Sequence, residues 1–132
     1  MSRPLCPPEE NILRAIHASH WDAQNSRGYS PIFKGRNTSV SRLSILGLAA
    51  LLDIFHQQLD SSPSGKIIGA GEINIGELQR IGREHLHPLE LNVEEAPEPN
   101  NPAHAEIPQE ISRGLAKKII DALAFHWVAS NI

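Results

Sequence analysis

Four prolines fall within twelve residues, Pro97, Pro99, Pro102 and Pro108, and they interrupt regular structure in this 132-residue chain. Proline has no amide donor and holds φ near one value, so no helix runs through such a segment and no regular ladder forms. The expectation for 97–108 is an ordered but irregular loop. Beyond Pro108 a helix is predicted over about 109–128, with Gln109 and Glu110 in its first turn. Ile111, Leu115, Ile119, Ala122 and His126 share one stripe of it, and Leu123 and Trp127 widen that stripe. Upstream, Ser44 is a candidate N-cap for a second helix over about 44–59. In its first half, from Ile45 on, that helix is apolar nearly all round, which predicts burial on more than one side and a central place in the core.

The remaining pattern alternates between short strands and a short helix. Ile12, Leu13 and Ile16 fit helical spacing after Pro7-Pro8-Glu9-Glu10, while Ile12, Arg14 and Ile16 fit one face of a strand, so residues 8–20 stay open. Residues 20–28 read as a loop. Ser30 to Lys34 and Thr38 to Arg42 read as extended pieces joined by Gly35-Arg36-Asn37, which has hairpin chemistry. Lys66 to Ile73 reads as a strand, Asn74 with Glu77 as a capping box, and Ile75, Leu78 and Ile81 as the buried stripe of a short helix. Leu89, Leu91 and Val93 alternate with Glu90, Asn92 and Glu94, the signature of a half-buried strand with an acidic outer face. The sum is an α+β domain spanning 1–132. It has a small mixed or antiparallel sheet packed by the two helices, with 1–8 and 129–132 loose.

Composition narrows the class of function. Hydrophobic residues make up 40% and charged residues 20%, ordinary values for a folded chain. The net charge of −3 argues against a protein that coats nucleic acid, although residues 1–42 hold six cations against three acids. The longest run without a polar side chain, Ile45 to Leu52, is too short to span a bilayer. With Cys6 as the single cysteine and no apolar leader after Met1, a soluble cytoplasmic protein without disulfides is expected. The apolar helix could be enclosed by its own sheet or completed by a second copy, so a homodimer is an open alternative.

No complete catalytic signature is present. His104-Ala105-Glu106 matches half of a zinc deaminase motif, but the paired thiols that would complete the metal shell are missing. The seven histidines, among them His17 with His20 and His85 with His87, have no spacing that fixes a third ligand, so no metal site is expected. Arg14, the Ser39-Val40-Ser41 segment and Glu106 occur in an order loosely similar to ADP-ribosyltransferase-like folds. There an arginine holds a phosphate or ribose of NAD, and a glutamate stabilises the charge that develops as the glycosidic bond breaks.

A second likeness covers most of residues 12–107. Leu13-Arg14-Ala15-Ile16, Ser30-Pro31-Ile32-Phe33-Lys34, Thr38-Ser39-Val40-Ser41-Arg42 and Asn101-Pro102-Ala103-His104-Ala105-Glu106-Ile107 resemble a set of small bacterial proteins without established activity. Those proteins share the pattern L-R-x-I … S-x-x-F-K … L-S-V … N-P-x-H-A-E-I. Pro31 departs from the small residue usual there. The resemblance implies a bacterial cytosolic origin, a setting of phage defence or mobile elements, and an extended conformation for 12–17. Two functions are therefore carried forward. The first is a non-catalytic accessory protein without cofactor that binds a partner protein through the acidic, proline-rich 94–108 segment. The second is an enzyme or sensor acting on a nucleotide, NAD included, or on nucleic acid. It would have Arg14, Arg36, Ser39 and Arg42 as binding residues, Asn101 beside them, and His104 and Glu106 as catalytic candidates.

Overall fold

Ile12, Leu13, Ala15 and Ile16 fit helical and extended spacing alike because the strand they form is apolar on both faces. The computed structural model describes residues 3–128. In chain order its strands are β1 (Asn11–His17), β2 (Trp21–Asp22), β3 (Arg27–Gly28), β4 (Thr38–Arg42), β5 (Ile67–Asn74), β6 (Glu94–Glu95), β7 (His104–Ile107) and β8 (Ala124–Trp127). Its α-helices are α1 (Leu48–Leu59), α2 (Ile75–Glu84) and α3 (Arg113–Asp121). Six strands form one antiparallel sheet in the order β6-β7-β4-β1-β5-β8, and β2 with β3 makes a small separate hairpin. This is the expected α+β class, with the sheet antiparallel throughout.

The central position of β1 explains its composition. Ile12 and Ile16 are fully buried on one face, with Val40, Ile73, Ala105 and Ile107 and the apolar stripes of α2 and α3. Leu13 and Ala15 project to the other face, where Leu51 and Phe55 of α1 cover them. Each fully buried Ile or Leu contributes roughly 1.5–3 kcal/mol, so a central strand apolar on both sides anchors both layers.

The predicted capping of α2 is present in half. Asn74 Oδ1 accepts the Glu77 amide at 3.1 Å, while the Glu77 carboxylate pairs with Arg80 instead of turning back. Other boundaries moved. The helix predicted over 44–59 starts at Leu48 with Gly47 at its N-cap, and Ser44 donates its hydroxyl to Glu10. Only Leu51 and Phe55 of that helix are buried, and Ile45 is exposed, so α1 covers one face of the sheet and is not enclosed. The C-terminal helix spans nine residues, not about twenty: Ser112 caps it by accepting the Leu115 amide, and it ends at Asp121. His126 therefore belongs to a strand and not to a helical stripe.

The proline-rich segment also departs from expectation, because a regular ladder does form within it. His104–Ile107 lies between Pro102 and Pro108 and contains no proline, and it pairs with β4 on one side and β6 on the other. Residues 30–34 and 38–42 do not form a hairpin. Ser30–Ile32 is a 3-10 turn, and Gly35 at φ 111° exchanges backbone hydrogen bonds with Ile111, sending β4 away toward β1. The stretch 20–28, expected as a loop, holds the β2–β3 hairpin, whose turn Asp22 fastens by accepting the amides of Gln24 and Asn25. Leu91 and Val93 are buried as their alternation implies, yet 89–93 pairs with no strand. At the other end, Leu5 bridges to Glu94 and the Cys6 amide donates to Val93, so this part of 1–8 is laid along the sheet. Residues 129–132 lie outside the described residues.

Candidate functional site

Neighbouring strands bring most of the singled-out residues together. Ser39 sits opposite Glu106 and Ser41 opposite His104 across the β4–β7 ladder, so all four side chains project from the face that carries α1. On the other side of β4, the ladder with β1 covers Ile12 with Arg42 and Leu13 with Ser41 and goes no further. Where these strands part, Arg14 supplies donors in place of backbone amides. Its Nε donates to the Ile32 carbonyl at 2.7 Å and its Nη1 to the Ser39 carbonyl at 2.8 Å. Arg14 forms no ion pair with any described acid, and burial pulls its pKa down to about 10.

A cleft of about 320 Å³ opens beside Arg14. Ser39, Ser41, Asn101 and His104 give it polar walls, and Leu13, Ala15, Phe55 and Leu59 give it an apolar one. Glu106 lines a separate depression with Arg3, whose Nη1 donates to its carboxylate at 2.7 Å. Arg14 and Ser39 thus share one cleft, Glu106 faces the next, and His104 stands between them. The His104 Nδ1–H donates to the Ala96 carbonyl at 2.7 Å. That bond leaves Nε2 as the acceptor nitrogen of the neutral ring.

The other candidates serve the scaffold. Arg42 donates to both Glu10 oxygens and to Glu95 at 2.8–3.1 Å, a nearly dry cluster on the far side of the β4 ladder. Burial alone would raise the Glu10 carboxyl, but hydrogen bonds from Arg42 and Ser44 and the Arg42 charge outweigh it, so its pKa lies below the ordinary value. Arg36 is exposed, 3.5 Å from Glu110 and away from the cleft. Asn101 is buried, donates to the Ser41 hydroxyl at 3.0 Å and accepts the Ala103 amide at 3.1 Å, fixing the turn between β6 and β7. Asn101→Ala is expected to cost about 1–3 kcal/mol, because a buried donor and acceptor lose their partner. A thermal melt reads this directly, and an unchanged midpoint would contradict the role.

Burial pushes the Cys6 thiol up to about 11, which suits an inert packing residue. Among the described residues no group of three or more His, Cys, Asp or Glu side chains is arranged to hold a metal ion. No helix among them is long and apolar enough to cross a membrane.

The sequence pattern did not reveal an aromatic cluster on the sheet edge. Trp21, Phe125 and Trp127 gather at the β8 end of the sheet, where Phe125 and Trp127 stack at 5.2 Å and Trp21 tilts against Trp127 at 4.6 Å. Trp127 stays 47% exposed. The available signal was the alternation Phe125-His126-Trp127, a two-residue period hidden inside a predicted helix.

No protein-family model matches this chain, and no curated protein or solved structure matches it.

Proposed function

We propose that this chain is a non-catalytic accessory protein that binds an extended segment of a partner protein along the open edge of β8. The observation that carries the reading is the contrast between the two ends of the sheet. At β6 the edge strand is the acidic pair Glu94 and Glu95, and the backbone from Pro4 to Cys6 runs alongside it. At β8 the strand Ala124-Phe125-His126-Trp127 carries no Lys, Glu, Asp or Pro, the residues that guard exposed edges against pairing. Val128 donates its amide inward to Ile68, so by alternation the amides of Phe125 and Trp127 point outward. On that outer side no described strand pairs with them. Half of the chain's aromatic side chains cluster at this edge, and aromatic anchors on a sheet edge suit strand addition.

The edge is four residues long, and so short an edge suits a transiently bound segment. The likeness to small bacterial proteins makes a bacterial cytoplasmic defence or mobile-element system the proposed setting. A nucleotide-acting role is the second reading, supported by Arg14 and Ser39 lining one cleft. Against it stands Glu106, which is neutralised by Arg3 in the neighbouring depression.

The test is selection from a displayed library of random extended peptides. Selected peptides should carry apolar residues at alternate positions, and Trp127→Lys should weaken them about tenfold or more with little change in melting temperature. Equal affinity for the Trp127→Lys variant would overturn the reading. A dimer in light scattering that Trp127→Lys dissolves would overturn it in favour of self-association.

A further inference from the structure

The cleft beside Arg14 is not needed for binding at β8, and its chemistry points to a ligand of its own. Two backbone carbonyls fix the guanidinium of Arg14, so little side-chain freedom is left to lose when an anion arrives. Among the described residues every fully buried side-chain nitrogen or oxygen has a hydrogen-bond partner. Arg14 Nη2 makes no such bond, and Arg14 is among the residues that line the cleft. A partly desolvated guanidinium without a carboxylate is costly, and an incoming anion would offset that cost.

The other walls narrow the class of anion. Ser39 and His104 offer hydrogen-bonding groups close by, while Leu13, Ala15, Phe55 and Leu59 form an apolar wall. A volume of about 320 Å³ encloses a ring or short chain with a compact head, and not a dinucleotide. It lies at the small end of the roughly 300–1,000 Å³ typical of ligand pockets. Glu98 also lines the cleft, 3.6 Å from His104 Nδ1, and its charge opposes a doubly ionised phosphate more than a single negative charge. We propose that this cleft binds a small, partly apolar organic carboxylate, held through Arg14 with its body against Phe55 and Leu59.

Calorimetric titration with phenylacetate and hexanoate, each beside its uncharged amide, tests the assignment, with phenyl phosphate as the dianionic comparison. The acids should bind, and the amides and the phosphate should bind at least about tenfold more weakly. Arg14→Gln should abolish the preference for charge. Because Arg14 also holds two carbonyls, that variant could unfold for structural reasons, so Ser39→Phe supplies the second arm. It fills the cleft from an exposed position with the guanidinium intact, and should abolish binding of the acids. Amides that bind as well as acids, no heat from either acid at millimolar concentration, or an unchanged titration in folded Ser39→Phe would each overturn the proposal. A phosphate that outcompetes the acids would overturn the carboxylate assignment. None of these outcomes bears on peptide binding at β8, whose residues are distinct.

Discussion

Arg42→Met is expected to remove about 3 kcal/mol or more of stability, one of the two largest losses anticipated for a single substitution in this chain. The Arg42 and Glu10 side chains are only 14% and 10% exposed, and Glu95 is 35% exposed. Removing the cation leaves one nearly dry carboxylate, and a second half-dry one, with no counter-charge. Breaking a buried pair from one side costs far more than the intact pair contributes. The effect has a defined pH signature. In the native protein the Glu10 carboxyl titrates below its unfolded value, so its contribution is present above that value and is lost as pH falls through the folded one. Without Arg42, burial of Glu10, the largest single influence on it, is opposed only by the Ser44 hydrogen bond, so its carboxyl titrates higher and the variant is least stable relative to wild type near neutrality. The deficit shrinks as the medium approaches pH about 4, the ordinary glutamate range. Urea melts across pH 4–8 check this, and a pH-independent difference would contradict the Arg42–Glu10 account.

Gly69→Val is the second large effect, and it joins fold to proposed function. Gly69 pairs with Trp127 across the β5–β8 ladder. A Cβ built there would sit 2.5 Å from the His126 carbonyl oxygen and 3.2 Å from the Trp127 Cα. Both obstacles are backbone, so β8 itself must move. We expect a loss of about 2–3 kcal/mol, at the upper end for overpacking. The 124–127 amides should lose hydrogen-exchange protection and the Trp21–Trp127 packing should loosen, seen as a red-shifted tryptophan emission. Gly71→Ala is the internal comparison. Its added Cβ meets the Leu123 side chain at 2.6 Å, and that side chain can rotate. It should cost clearly less and leave β8 paired. Equal effects of the two substitutions would mean that β8 is not held by close backbone approach at Gly69.

Much of the fold was legible where one segment carries its own signal. The capping of α2 by Asn74, a strand over 66–73 and the stripe Ile75, Leu78 and Ile81 follow from local pattern, and the structure has them, with the strand at Ile67–Asn74. The same reasoning lengthened α3, because Ala122 and His126 continue a helical stripe on paper while Phe125 and Trp127 equally satisfy a strand. The open edge of β5 settles that competition, and only a folded neighbour can supply it. Proline excludes ladder pairing only at its own position, so the proline-free stretch between Pro102 and Pro108 is free to form β7.

The candidate site divides along the same line. Arg14, Ser39 and His104 were named from the chain and do converge, because three adjacent strands carry them. Which acid each cation meets was not readable. Arg3 reaches Glu106 across 103 residues of sequence, and Arg42 reaches Glu95 across 53. By itself, the order of residues determined the α+β class, the capped helix α2 and the absence of a local catalytic signature, while residues 8–20 fitted helix and strand alike until the sheet placed Asn11–His17 among them as β1. Strand order, the spent charges of Arg42 and Glu106, the unspent one of Arg14 and the bare aromatic edge were decided by tertiary structure alone. Periodicity and capping act over a few residues and leave their mark in sequence, whereas the pairing of edges and charges is selected by geometry among segments far apart along the chain.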